Sequence, residues 1–332
     1  MMNVLLTGAF GNIGMSTLGA LLKRGHKVRT FDLATPANRK SARRFAGRIE
    51  TVWGDLRDAE ALQAAVKDQE VVIHLGFLIP KLSVTGMGSE EQPDIAWEVN
   101  VGGTHKLLDA LRAQPRRLKL IFASSYHVYG LTQNQPPPRT VADPVNPVEH
   151  YARHKVACEW LVKASGLEWS ILRFSATLPL SLTLDPYLFE ISLHNRMEFT
   201  HTRDVGVAVA NAVTCNAAWG KTLLIGGGPR CQLTYGEIVA GVLNALGIGM
   251  LPEAAFASKP FATDWVDTTA SQQLLHYQQH TFDDYLQDMT ALVGARRVLI
   301  RLFRPFARHW LLKKSPYWHA TRSRRLMPVP QV

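Results

Sequence analysis

The sequence has few cysteines. Cys158, Cys215 and Cys231 form no CxxC pair and cannot all pair with one another, so neither a disulfide framework nor a zinc or other metal site follows. It also lacks any apolar run long enough to span a bilayer, and its first strand-forming run begins near Asn3, which leaves no room for a leader peptide. The expected compartment is therefore the cytoplasm. Acidic residues are missing from one region. None follows Asp288, whereas Arg296, Arg297, Arg301, Arg304, Arg308, Lys313, Lys314, Arg322, Arg324 and Arg325 supply ten basic charges. Those ten account for the whole net charge of +10, since without them the 37 basic residues fall to parity with the 27 acidic ones. A body so balanced gives no electrostatic basis for binding nucleic acid.

Ordered runs fill the rest of the chain. Short apolar runs at 4–6, 27–31, 50–53, 71–75, 118–123 and 169–174 alternate with stretches of helical periodicity at 12–24, 58–67, 98–112 and 151–165. That alternation predicts an α/β fold of the Rossmann type, a doubly wound parallel sheet. The expected organisation is a nucleotide-binding domain over 1–174, a small substrate cap over 175–290 whose chain crosses back to the sheet, and a basic amphipathic tail over 291–332. Proline-rich stretches at 136–138 and 143–147 mark a loop ahead of the helix that begins at Tyr151.

Gly8, Gly11 and Gly14 follow the first strand and open the first helix, the context that gives a glycine pattern meaning. Gly8 serves the tight turn, Gly11 lets the backbone approach a pyrophosphate, and Gly14 allows close packing. Phe10, Asn12 and Ile13 belong to the same loop, and the helix amino terminus then faces the phosphates. Asp32 closes the second strand, where a carboxylate takes both ribose hydroxyls and repels a 2′-phosphate, so NAD is favoured over NADP. The nearby Arg39, Lys40, Arg43 and Arg44 weigh the other way unless they form a solvated basic face. Asp55 either accepts from the adenine amine or caps the helix that follows.

Tyr151 and Lys155 stand four residues apart and so share a helix face. An ammonium at that range is expected to lower the phenol pKa by about 1 to 3 units and bring it towards neutral-pH proton transfer. Hydride transfer at a carbon needs such a partner for the proton on its oxygen.

Taken with His74-Leu75-Gly76, Gly54-Asp55-Leu56, the Asn100-Val101-Gly102-Gly103-Thr104 run and the Ser124 to Gly130 run, these motifs resemble the extended short-chain dehydrogenase/reductase family over about residues 1–290. That family includes NAD-dependent epimerases and dehydratases. The resemblance implies Tyr151 as acid/base, Lys155 on the nicotinamide ribose, Ser125 orienting the substrate oxygen, Asn100 supporting the site, and Leu56, Leu75 and Gly76 lining the cofactor. Dehydratases of the family carry an acidic pair where this chain has Tyr126 and His127, which argues against dehydration. After Arg173 come Phe174, Ser175, Ala176 and Thr177 instead of the asparagine and Gly-Pro of sugar-nucleotide members, and the segment up to Asp204 is short. The Ser-Ser-x-His and His-Leu-Gly runs are similar to the uronate dehydrogenases. His127 is either a substrate contact or a satisfied, half-buried histidine, and Ser175 is a second candidate contact. His150 and His154, with no third ligand at metal spacing, read as helix surface.

The implied activity is NAD-dependent oxidation or reduction of a sugar-acid-like or lipophilic, steroid-like alcohol. A sugar-nucleotide epimerase and a non-catalytic NAD(P)-sensing module are the alternatives. In the tail, Arg297, Arg301, Arg304 and Arg308 fall on one helical stripe, opposite Leu299, Leu302, Phe303, Phe306 and Trp310, with Pro305 expected to kink the helix. An interfacial helix on anionic lipid through 295–314, at the inner face of a membrane, has this composition. The competing expectation is that the apolar side packs on the cap or across a homodimer.

Overall fold

The computed structural model describes residues 1–80, 87–183 and 187–318. The basic residues Arg322, Arg324 and Arg325 lie outside the described residues. The amino-terminal half alternates strand and helix: β1 Asn3–Thr7, α1 Asn12–Lys23, β2 Lys27–Asp32, α2 Pro36–Arg43, β3 Ile49–Trp53, α3 Ala59–Val66 and β4 Val71–His74. Then come α4 Pro93–Trp97, α5 Gly103–Arg112, β5 Lys119–Ser125, α6 His150–Lys163 and β6 Glu168–Phe174. The carboxyl-terminal part adds β7 Arg196–Glu198, α7 Thr202–Ala212, β8 Thr222–Ile225, β9 Gln232–Thr234, α8 Tyr235–Ala245, α9 Thr269–Leu275, α10 Phe282–Val293, α11 Arg296–Leu302 and α12 Arg304–Leu312.

Seven strands form one sheet in the order β3-β2-β1-β4-β5-β6-β8, parallel throughout. Parallel strands covered on both faces read as unbroken apolar runs, and β4 is buried along its whole length. The order reverses between β1 and β4, the switch point at which open α/β sheets bind ligands. One core lies between the sheet and α1 and α7, and includes Leu6, Leu18, Ile73, Val205 and Val209. The other lies beneath α3, α5 and α6, and includes Leu5, Leu62, Leu107, Phe122 and Val162.

The chain returns from the cap to the sheet twice. Helix α7 packs on α1, with Ser16 Oγ hydrogen-bonded to Thr202 Oγ1 at 2.8 Å, and β8 adds the last strand beside β6. What remains as a cap is the antiparallel pair β7-β9 with α8 and α10, around Phe199, Ile238, Phe282 and Tyr285. Helices α11 and α12 lie against this cap, and the break between them falls at Phe303, two residues before Pro305. Proline withholds an N–H and crowds the carbonyl four residues earlier, which ends α11 there. Among the described residues no helix is long and apolar enough to cross a membrane.

Candidate active site

The turn after β1 is held by close backbone approach. Gly8 has φ +65° and its α-carbon faces Gly76, where a Cβ would come 2.7 Å from the Gly76 nitrogen. At Gly14 a Cβ would meet the Gly8 carbonyl at 2.1 Å, so α1 can approach the turn only with glycine there. No side chain caps α1, whose first-turn N–H groups are therefore left for an anion, as a pyrophosphate requires. Asp32 stands beside this turn. Its carboxylate accepts from Phe10 N–H at 3.0 Å, Leu33 N–H at 2.8 Å and Asn38 Nδ2 at 3.0 Å, while burial pushes its pKa up.

Asn38, on α2, fixes the orientation of Asp32 and was not foreseen; an asparagine in a basic helix gives no local signal of a buried partner. Arg39, Lys40, Arg43 and Arg44 are exposed, and Arg39 lies over Trp53 at 5.2 Å. Asp55 is not the cap of α3: Asp58 caps it, accepting from Glu60 and Ala61 N–H. Asp55 instead pairs with Arg57 at 2.7 Å, and that bond holds its carboxyl below the usual range. Leu56 is buried and its side chain lies against Gly76 and Gly103. Leu75 N–H donates to the Thr7 carbonyl, and Asn12 Nδ2 to the Thr177 carbonyl. Phe10 and Gly11 lie in the turn and Asn12 and Ile13 open α1, so these residues gather with Asp32, Asp55, Leu56, Leu75 and Gly76 along the carboxyl ends of β1 to β4.

Between α4 and α5 the helix widens into a π turn over Glu98–Gly102. Such an insertion re-aims side chains and recurs at functional sites. Here it turns Asn100 onto the loop after β4: Leu78 N–H donates to Asn100 Oδ1 at 2.6 Å, and Asn100 Nδ2 donates to the Leu78 carbonyl at 2.9 Å. A directed chain joins this turn to the glycine loop. Thr104 Oγ1 gives its proton to the Asn100 carbonyl, so His74 Nε2 must donate to Thr104 at 3.1 Å, and His74 Nδ1 accepts from Thr7 Oγ1 at 2.7 Å. Thr7 Oγ1 in turn accepts from Gly76 N–H at 3.1 Å. Burial, aided by the charge of Lys155, pulls the His74 pKa down to about 3 and keeps the ring neutral.

Ser125 ends β5 and Tyr151 lies in the first turn of α6, with Ser125 close enough to lower the pKa of the phenol. The Tyr151 ring stands edge-on to Phe77 and His127, with centroids at 5.8 and 5.9 Å. Its pKa does not fall as the spacing of Tyr151 and Lys155 predicted. Burial raises it, and the nearby Ser125 hydroxyl only partly offsets that. The reason is where the Lys155 ammonium goes: it donates to the Ala123 carbonyl at 2.6 Å and lies 3.5 Å above the Phe77 ring, 5.7 Å from the centre of the Tyr151 ring. Burial brings Lys155 itself down to about 7.

His127 Nδ1 pairs with Glu149 at 2.7 Å, and its ring contacts Tyr126, Tyr151 and Phe261 edge-on. The Glu149 charge also raises the Tyr151 pKa. Ser175 is engaged elsewhere: its buried hydroxyl bonds to that of Thr200. His154 is not helix surface. It is buried against Trp97, within 3.3 Å of Asn100 Nδ2, and burial lowers its pKa.

Sheet, turn and side-chain set together define a dinucleotide-binding protein of the extended short-chain type. The chain belongs to the NAD dependent epimerase/dehydratase family, whose model matches residues 4–178, more than half of its length. It is 30% identical over 211 residues to sterol demethylase protein B of Methylococcus capsulatus, covering 61% of this chain and 58% of that one. To UDP-glucose 4-epimerase 2 of Arabidopsis thaliana it is 30% identical over 219 residues, 61% of this chain and 60% of the relative. The chain spans about half the length of the curated relatives it matches. In structure it is similar to a short-chain dehydrogenase/reductase superfamily protein from Agrobacterium tumefaciens with bound NAD, at TM-score 0.72 and 24% identity, over 91% of this chain and 99% of that one.

Proposed function

We propose that this protein is an NAD-dependent oxidoreductase acting at the hydroxyl or ketone carbon of a small alcohol, with Tyr151 as the proton-transfer group. The observation that carries the proposal is the pairing of Ser125 and Tyr151 at the carboxyl end of β5, with β4 between them and an uncapped glycine turn that has Asp32 beside it. NAD, when bound, supplies the hydride acceptor. The first-turn N–H groups of α1 would hold its pyrophosphate, Asp32 a ribose, Asp55 the adenine, and Lys155 the second ribose through the protons not given to Ala123. In the reductive direction the neutral Tyr151 phenol gives its proton to the substrate oxygen; in the oxidative direction it must first release that proton to solvent before it can take the substrate's, and Ser125 holds the oxygen in place. Asn100, through Leu78, keeps the loop carrying Phe77 in register with both.

The side chains around Tyr151 support this substrate class. Phe77 stands against Tyr151, and Phe261, backed by Tyr187, against His127; this suits an apolar ring face with one polar edge, as in a steroid-like alcohol, while a sugar acid would use the polar groups of the same corner. His127, fixed by Glu149, offers a polar contact on that edge. Placement in the cytoplasm or at the inner face of a membrane belongs to the same reading, as does a homodimer.

The test is reduction of added NAD, followed by absorbance, with uronic acids and 3β-hydroxysteroids as two substrate panels. Turnover in either panel that Tyr151→Phe removes supports the proposal. Tightly held NAD with inversion of a UDP-sugar and no net reduction supports an epimerase instead, and NAD binding without turnover supports a sensing module.

A further inference from the structure

The amphipathic tail is docked in the opposite sense from a helix seeking a core. Its arginines face the protein. Arg297 Nη2 donates to the Asn244 carbonyl at 3.1 Å, Arg304 Nε to the Ile248 carbonyl at 2.8 Å, and Arg308 Nη1 to the carbonyls of Gly249 and Met250. These acceptors are the last carbonyls of α8 and the turn after it, the negative end of a helix, where cations are stabilised. Farther on, Leu311 is buried in the cap and Ser315 Oγ donates to the Ala255 carbonyl, so the segment is pinned at both ends. The apolar stripe is left pointing outward: Val298, Leu299, Leu302, Phe303, Phe306 and Trp310 are each between 55% and 74% exposed. The expectation that this side packs on the cap is therefore overturned.

We propose that this outward face of α11 and α12 inserts into the surface of an anionic phospholipid bilayer. An exposed apolar face this rich in leucine and aromatic residues marks an interaction site. Charge decides which partner it suits. No acidic residue follows Asp288, and the exposed Arg296, Lys313 and Lys314 flank the stripe. A self-complementary contact with a second copy would bring these like charges together, since such an interface repeats one patch on both sides. A bilayer bearing phosphates neutralises them. Lys314 lies over the Trp310 ring at 4.7 Å, a pair that suits the boundary where acyl chains meet headgroups. Between the helices and α8 opens a pocket of about 450 Å³ lined by Asn244, Gly247, Gly249, Arg297, Arg301 and Arg304. Arg297 Nε is buried there without a partner among the described residues. Nucleic acid is poorly served, because the aromatic rings stand on the side away from the arginines.

The surface and the catalytic set share no residue, so each proposal stands if the other fails. The test is co-sedimentation of the full chain with vesicles of phosphatidylcholine alone and of equal parts phosphatidylcholine and phosphatidylglycerol. The expected result is binding to the second, little to the first, and release as salt rises over a Debye length of about 8 Å at physiological ionic strength. Leu302→Glu/Phe306→Glu changes two exposed side chains, so its melting temperature should be unchanged while its partitioning falls by on the order of 100-fold. Leu299→Gln should move in the same direction by less. The proposal is overturned if the intact chain ignores anionic vesicles, if the double variant binds them equally well, or if the intact chain is a dimer that the double variant turns into a monomer without vesicle binding in either form.

Discussion

Replacing Lys155 with methionine should stabilise the cofactor-free protein, and by an amount that depends on pH. The Lys155 ammonium lies over the Phe77 and Phe122 rings and donates to the Ala123 carbonyl, and burial draws its pKa from 10.5 down to about 7. The unfolded chain then holds one proton more than the folded one between those two values, and stability rises with pH across that window. Below about pH 7 the lysine is charged in both states and the full cost of burying it applies. At about 1.4 kcal/mol per pKa unit, that cost is on the order of 5 kcal/mol. Methionine fills the same space without charge. Urea unfolding of both proteins from pH 6 to pH 10 should therefore show the variant ahead by a few kcal/mol at the acid end, with the gap closing towards pH 10. A gap that stays constant with pH, or a variant less stable at pH 6, would refute the assignment of a strained buried ammonium.

Asp32→Ala should weaken NAD binding far more than NADP binding, because only the former keeps a 2′-hydroxyl for the carboxylate; titration of both cofactors decides it, and equal losses would detach Asp32 from the preference. Glu149→Gln removes a negative charge that raises the Tyr151 pKa, so the acidic limb of the rate profile should move to lower pH, and an upward move would contradict the geometry. Phe77→Ala should raise the Lys155 pKa, since it admits water to the ammonium; NMR titration of the side chain against wild type reads the shift, and a fall would overturn the enclosure.

The sheet was legible because its signals are local. Apolar runs of strand length and the spacing of Gly8, Gly11 and Gly14 each bear on one turn or one strand, and β1 to β6 stand within a residue or two of the expected runs. Partners distant in sequence were not legible. Nothing near Asn38 points to Asp32, and nothing near Asn100 points to Leu78, since both bonds depend on loops brought together by the sheet. Spacing to other ligands places His154 on a helix surface, whereas contacts from a different helix, Trp97 among them, bury it. Tyr151 and Lys155 do share a helix face, but proximity along a helix says nothing about a nearer acceptor, and the Ala123 carbonyl drew the ammonium away. The tail shows a similar limit. Periodicity divides α11 and α12 into an arginine side and an apolar side, yet which side docks depends on the free carbonyls at the end of α8.

The central claim is that Tyr151 moves the proton while the dinucleotide site stands apart from it. Its most direct test compares wild type and Tyr151→Phe in two readings on one preparation, NAD affinity by calorimetry and hydride transfer in a single turnover with a substrate from the panel that reduces NAD. NAD affinity should be unchanged and the transfer rate should fall by about 10² to 10⁴-fold. A variant that transfers hydride at the wild-type rate would remove Tyr151 from the mechanism and the oxidoreductase proposal with it.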